Sequence, residues 1–225
     1  RKGIPAAQDA LATYRANGEG EKEAATLCVL AKMHMGKGES EMALQMAKDA
    51  ITKYEELGQS VGAALDVAMD IYMKMGSKDD AVFTAQQEIE RLKQVGDPEE
   101  EAAITMKVAQ LHLKTGKPDQ AAGPASEAAS LYKSCADKQG EVEATVLLGQ
   151  IKLAARDRKD AQQYAEVAIK MGQEIGAPAT DSIVAGLKIF TEVSAMTKTF
   201  QAGFDAAIAT MNWFKGSGNG KGEGG

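Results

Sequence analysis

Small and apolar residues recur along the chain with the spacing of an α-helix rather than that of a β-strand. Ala43, Ala47 and Ala50, for example, are separated by four and then three positions, which places them on one helix face. Strong helix formers dominate the composition, and no segment shows the apolar-polar alternation of a half-buried strand. The pattern predicts eleven helices, near residues 4–17, 21–36, 40–57, 60–75, 78–95, 98–115, 118–135, 138–155, 158–175, 179–197 and 199–214.

The breaks between these segments form two interleaved ladders of mostly glycine residues, each with a period of 38 or 40 residues. Glycine is apt where a helix ends, because the chain can turn there through a positive φ angle at little cost. One ladder consists of Gly38, Gly76, Gly116 and Arg156, and the other of Gly18, Gly58, Gly96, Ala136 and Gly176. The period therefore predicts an array of helix-turn-helix repeats.

Alanine columns mark the second helix of each repeat. At three successive positions on one face, the repeats carry Ala43, Ala81, Ala121, Ala161 and Ala202, then Ala47, Ala85, Ala125, Ala165 and Ala206, then Ala50, Glu88, Ala128, Ala168 and Ala209. Such a stripe allows neighbouring helices to approach closely. Their partners on the first helices are Leu30, Ala68, Val108 and Leu148. Because one repeat cannot bury its apolar face alone, stacking of repeats is expected to form the core.

The repeat pattern resembles the tetratricopeptide-repeat (TPR) family, in the form with about 40 residues per repeat that occurs in kinesin light chains and related scaffolds. The resemblance is carried by Leu148-Gly149, by Tyr72 before Gly76, and by the alanine column that begins at Ala43. It departs from the family where alanine replaces the usual aromatic residue of the second helix, and where His34, His112 or Lys152 replaces the aromatic residue before the turn. The resemblance implies an all-α fold, a right-handed α-α superhelix (solenoid) of about eleven antiparallel helices.

The repeats divide the chain into one helical domain and a tail. We expect the domain to span residues 1–215, with a half repeat at 4–17 and full repeats at 18–57, 58–95, 96–135, 136–175 and 176–215. Residues 216–225 are rich in glycine and are expected to form a flexible tail.

Charge and hydropathy exclude several classes of partner. The net charge of −6 and the pI near 5.1 argue against binding to duplex nucleic acid or to an anionic membrane surface. No apolar run approaches the roughly 18–20 residues of a spanning helix. The start, Arg1-Lys2-Gly3-Ile4-Pro5, does not resemble a signal peptide, so the chain is expected to be processed or part of a longer protein. Cys28 and Cys135 lie more than two repeats apart, which favours free thiols and a reducing, cytoplasmic compartment.

No arrangement of residues points to catalysis. His34 and His112 occupy equivalent positions in the first and third repeats, which would place them about 20 Å or more apart, too far to share a metal ion. Carboxylates such as those of Glu99, Glu100 and Glu101 cluster in first helical turns, where they complement the helix dipole. The sequence therefore predicts no catalytic, cofactor-binding or metal-binding residue, and a protein that is not an enzyme.

The resemblance to TPR proteins also suggests where a partner would bind. In that family the first helices line a concave groove, and the positions six and two residues before the turn point into it. The polar residues at those positions are Lys32, Asp70, Lys74, Gln110, Lys114 and Gln150. An alternative is that the lysines near these helix ends only complement helix dipoles. The family's carboxylate clamp for chaperone tails is not reproduced, because its positions carry Cys28, Asp66, Met106 and Val146.

Aromatic residues are concentrated near the end of the chain. Four of the five phenylalanines and the single tryptophan lie in the last 36 residues: Phe190, Phe200, Phe204, Trp213 and Phe214. They either cap the end of the helical stack or anchor a partner, since aromatic residues often dominate interface energetics.

Three hypotheses for function follow. The first is a non-enzymatic scaffold or adaptor that binds a peptide or a helical segment of another protein, on its concave face or at its aromatic C-terminal end. The second is a structural subunit of a large multiprotein assembly. The third is an adaptor of a helical bundle, because the soluble NSF attachment proteins have a similar all-helical layout.

Overall fold

The computed structural model describes residues 3–176 and 179–197, together with the isolated residues 205, 208, 209 and 212. The described residues form ten helices and no strand. The helices are α1 (Gly3–Asn17), α2 (Gly20–Gly36), α3 (Ser40–Glu56), α4 (Gly62–Met75), α5 (Lys78–Val95), α6 (Pro98–Lys114), α7 (Pro118–Ser134), α8 (Lys138–Ala154), α9 (Arg158–Ile175) and α10 (Thr180–Thr197). Each begins and ends within two residues of its predicted bounds. The eleventh helix, predicted near 199–214, lies mostly outside the described residues.

The helices form two compact units, Arg1–Glu100 and Glu101–Gly225, with the boundary in the first turn of α6. In the first unit α2 packs against α1, α3 and α4, and α4 also packs against α5. In the second unit α8 packs against α7, α9 and α10, and α9 also packs against α10. The all-α class and the helical-repeat layout are therefore confirmed, whereas the grouping of residues 1–215 into one domain remains a prediction. None of the helices in the described residues is both long enough and apolar enough to span a bilayer.

The alanine columns form the inner faces of the second helices. In α3, α5, α7 and α9 every alanine of the three columns is fully buried. The alanines of α3 and α7, for example, pack in clusters with larger side chains of the first helices, such as Val67 and Ile71 in the first unit and Leu147 and Ile151 in the second. The fifth repeat differs: Ala202 and Ala206 lie outside the described residues, and Ala209 is exposed.

The two ladders mark residues with a positive φ angle at or just after the ends of helices. All seven ladder glycines have a positive φ angle, and so do the two residues of other types, Ala136 at 59° and Arg156 at 64°. A Cβ atom makes this conformation cost roughly 1–2 kcal/mol. The repeat period thus imposes the conformation even where the sequence does not supply glycine.

Replacing Ala136 or Arg156 by glycine is expected to raise the free energy of unfolding by about 1 kcal/mol. This gain is what remains after the greater freedom of glycine in the unfolded chain offsets part of the relieved strain. Gly116→Ala is the matched control, because its φ is 75° and an added Cβ would meet no atom within 4 Å. Gly116→Ala should lower the free energy of unfolding by a similar amount, measured by urea unfolding followed by circular dichroism. If the urea midpoint were unchanged in all three variants, a positive φ angle would not strain a residue that has a Cβ atom.

Candidate functional site

Glycine residues allow α10 to lie close to both α8 and α9. A Cβ atom on Gly149 of α8 would lie 3.1 Å from Cδ1 of Ile189, and one on Gly172 of α9 would lie 2.6 Å from Cγ1 of Ile183. On α10 itself, a Cβ on Gly186 would lie 2.9 Å from Cγ1 of Ile169. These contacts hold α10 against both helices, and the candidate site is lined in part by α8 and α10.

A cavity of about 410 Å³ lies within the second unit and is lined by side chains of α6, α8 and α10. Its volume is in the range of roughly 300–1,000 Å³ that is usual for ligand sites. The lining residues are Met106, Gln110, Leu113 and Lys114 of α6, Glu143, Val146, Leu147 and Gln150 of α8, and Asp181, Ser182 and Ala185 of α10. All three are first helices of their repeats, as the TPR resemblance implies for a binding groove.

The lining combines an apolar surface with polar side chains, most of which have no hydrogen-bond partner among the described residues. Met106, Leu113, Val146, Leu147 and Ala185 supply the apolar part. Among the polar side chains, a hydrogen bond within the described residues is seen only for Glu143, whose Oε1 accepts from Gln139 Nε2 at 3.2 Å. The carboxamides of Gln110 and Gln150, the Lys114 ammonium and the Asp181 carboxylate are therefore free to bind another molecule.

The structure brings together three of the predicted partner-binding residues. The cavity described above is lined by Gln110, Lys114 and Gln150. Lys32, Asp70 and Lys74 are exposed on α2 and α4 of the first unit. The aromatic candidates Phe200, Phe204, Trp213 and Phe214 lie outside the described residues.

Three residues of the cavity were not predicted as site residues from the repeat pattern: Glu143, Asp181 and Ser182. A signal existed for Glu143, which lies seven residues before Gln150 and so on the same helix face. Asp181 and Ser182 carried no such signal, because the first helix of the fifth repeat lacks a ladder glycine at its end. Phe190 is a core residue, 5% exposed, that packs among Val142, Val146 and Ile189.

The two histidines occupy the positions of the family's aromatic residue before the turn. His34 is buried, and its Nδ1 is paired with the Glu39 carboxylate just before α3, whereas its Nε2 has no hydrogen-bond partner in the described part of the chain. His112 is half-buried near the end of α6. Within the described residues, no group of three or more His, Cys, Asp or Glu side chains is placed to hold a metal ion.

In the second repeat, Glu88 stands where the other repeats carry the third alanine of the column, and it forms an ion pair with Arg91. Glu88, 5% exposed, accepts hydrogen bonds from Arg91 Nε at 2.9 and 3.0 Å, and these bonds raise the pKa of Arg91. Glu55 of α3 lies 3.7 Å from the same Nε. Burial, and next the charge of Glu88, raise the pKa of Glu55. The three residues join α3 to α5, which is a structural role.

Both cysteines are free thiols and half-buried. Burial raises the pKa of Cys28, and the nearby Lys32 charge opposes this shift. A raised pKa lowers the thiolate fraction, so Cys28 is a poor nucleophile.

The fold is similar to that of several solved structures, although no similarity was found by sequence. No protein-family model matches the sequence, and no curated protein does. Among solved structures, BtubC (BKLC) from P. vanneervenii superposes with a TM-score of 0.74 over 100% of this chain and 94% of that chain, at 17% identity. A kinesin-light-chain-type protein of Podosopora anserina with nearly identical TPR-like repeats superposes with a TM-score of 0.61 over 86% of this chain and 96% of that chain, at 11% identity.

A third similar structure is a Rap protein complexed with competence and sporulation factor. It has a TM-score of 0.54 and 13% identity, and the match covers 88% of this chain and 65% of that chain. At these identities the likeness concerns the fold. The chain has the all-α, TPR-like helical-repeat fold that its sequence predicts.

Proposed function

We propose that the chain is a non-enzymatic protein-interaction module that binds an extended segment of a partner protein in the cavity between α6, α8 and α10. The observation that carries this proposal is the joint position of Gln110 and Gln150. They occupy the same place in successive repeats and line one cavity beside apolar side chains.

The carboxamide groups suit an extended peptide. Each has two N–H donors and one carbonyl acceptor, which match the C=O and N–H groups of a peptide main chain. Met106, Leu113, Val146 and Leu147 supply apolar surface for the side chains of such a segment. A related fold with a bound partner, the Rap protein with competence and sporulation factor, supports the search for a ligand of this kind. The structural-subunit and helical-bundle hypotheses remain predictions.

Selection from a displayed library of random dodecapeptides tests the proposal. The purified chain should enrich peptides with a shared motif, and Gln110→Ala combined with Gln150→Ala should weaken their binding by about tenfold or more. This loss corresponds to one or two hydrogen bonds that involve desolvated groups. Fluorescence anisotropy with the selected peptides measures it.

The matched control combines Gln120→Ala with Gln163→Ala. Both residues are exposed on second helices and do not line the cavity. The control should bind as the unaltered chain does. A selection that enriches no motif, or equal losses in the two double variants, would overturn the proposal.

A further inference from the structure

The charges of the cavity are unevenly divided among its three helices. α6 contributes one cation, Lys114, whereas α8 and α10 contribute one carboxylate each, Glu143 and Asp181. Two carboxylates against one ammonium group leave the cavity with a net negative charge. A cationic group of the partner therefore complements it, and its natural position is on the side of α8 and α10 rather than beside Lys114.

The cavity also carries a serine hydroxyl group that has no hydrogen-bond partner among the described residues. Ser182 is only 8% exposed, lies next to Asp181 in the first turn of α10, and lines the cavity. Its hydroxyl makes no hydrogen bond to any described residue. Its oxygen can therefore accept a hydrogen bond from a ligand that reaches it with a donor. This observation is independent of the two charges and points to the same side of the cavity.

The apolar lining suits the stem of a long cationic side chain. Val146 and Leu147 follow Glu143 by three and four positions on α8, so they lie on the same helix face as this carboxylate. Methylene groups pack on such a surface while the charged head reaches the polar rim. Glu143 keeps acceptor capacity, because its hydrogen bond from Gln139 uses one lone pair of Oε1.

We propose that the cavity recognises an arginine side chain of the partner segment, with the guanidinium group bound by Glu143, Asp181 and the Ser182 hydroxyl. Arginine fits better than lysine because its planar guanidinium presents five donors, enough for two carboxylates and a hydroxyl together. This inference rests on the proposed function, since it names the chemistry of the segment that the cavity would bind.

Two peptide pools test the inference on the intact chain. The pools are nonapeptides with acetylated and amidated ends, a fixed central residue and mixed residues elsewhere. The central residue is arginine in one pool and citrulline, its uncharged analogue of the same shape, in the other. We expect the arginine pool to bind at least about tenfold more tightly in fluorescence anisotropy, and this ratio to shrink as salt is added, since the carboxylates are accessible to ions.

Double variants test whether the preference for arginine over citrulline depends on Glu143 and Asp181. Glu143→Gln combined with Asp181→Asn should reduce the arginine-to-citrulline ratio to below about threefold, because both carboxylates are then neutral. The control, Glu166→Gln combined with Glu174→Gln, makes the same change of charge at exposed positions of α9 that do not line the cavity. It should keep the full ratio, and circular dichroism should show unchanged helicity in both double variants.

Three results would overturn the inference, and the first two separate it from the proposed function. Equal binding of both pools that still requires Gln110 and Gln150 would reject arginine recognition and leave the peptide-binding function standing. Binding of neither pool, together with a failed library selection, would reject both. A preference for arginine that persists in Glu143→Gln/Asp181→Asn would place the cationic subsite elsewhere.

Discussion

Gly140→Ala is expected to lower the free energy of unfolding by about 3 kcal/mol, at the upper end of the usual range for overpacking. Gly140 lies in the first turn of α8, and a Cβ there would come within 2.3 Å of Cδ1 and 2.5 Å of Cε1 of Tyr132. The tyrosine is 6% exposed and its ring is rigid, so it cannot move aside without displacing its neighbours. Urea unfolding followed by circular dichroism measures the loss.

A second substitution separates the steric cause from the change of helix propensity. In a Tyr132→Leu background the ring is absent, and Gly140→Ala should cost less than about 1 kcal/mol, because the two positions are then no longer in conflict. Gly36→Ala is the control, since a Cβ at this helical position would meet no atom within 4 Å. If Gly140→Ala were as harmless as Gly36→Ala, the close packing of α7 on α8 at this point would be wrong.

Much of the fold was predictable because the repeat shows itself at positions with a strict local requirement. A residue with a positive φ angle follows each of the helices α1 to α9, and the period located all nine such residues, including Ala136 and Arg156, whose types alone would not suggest it. Likewise, the alanine columns were recognisable because close helix packing excludes larger side chains. Such requirements act within one repeat and recur in the next, so one sequence is enough to detect them.

The candidate site was predictable only in part, because it depends on how neighbouring helices are offset. The spacing within α6 and α8 identified Gln110, Lys114 and Gln150, which do line one cavity. Spacing along one helix cannot show that Asp181 and Ser182, in the first turn of α10, reach the same space as Gln150. The offset arises from contacts such as that of Gly149 with Ile189, which join different repeats.

Glu88 departs from the alanine column of the second helices, and the sequence alone did not explain why. It interrupts the alanine column of α5, and burial of a lone carboxylate would be unfavourable. Arg91, three residues later on the same helix, neutralises it with two hydrogen bonds from Nε. The spacing of three was visible in the sequence, whereas the contact with Glu55 of α3 was not, because it joins two repeats.

Pro124→Ala is expected to raise the free energy of unfolding by about 3 kcal/mol. Pro124 lies inside α7, which continues from Pro118 to Ser134. A proline there cannot donate to the carbonyl of Gln120, and its ring crowds that carbonyl, at a cost of about 3 kcal/mol. Alanine restores the donor, so the urea midpoint should rise and hydrogen exchange in the first half of α7 should slow.

Pro118→Ala is the matched control on the same helix. Pro118 is the first residue of α7, where the N–H group has no acceptor within the helix, so replacing it should change stability by about 1 kcal/mol or less, in the unfavourable direction. An unchanged or lower midpoint for Pro124→Ala would mean that packing of the half-buried ring outweighs the missing hydrogen bond. Because α7 packs directly on α8, which supplies Glu143 and Gln150, the stabilised variant also shows whether the cavity needs the proline. Weaker peptide binding in a more stable protein would indicate that the proline shapes α7 for function at the expense of stability.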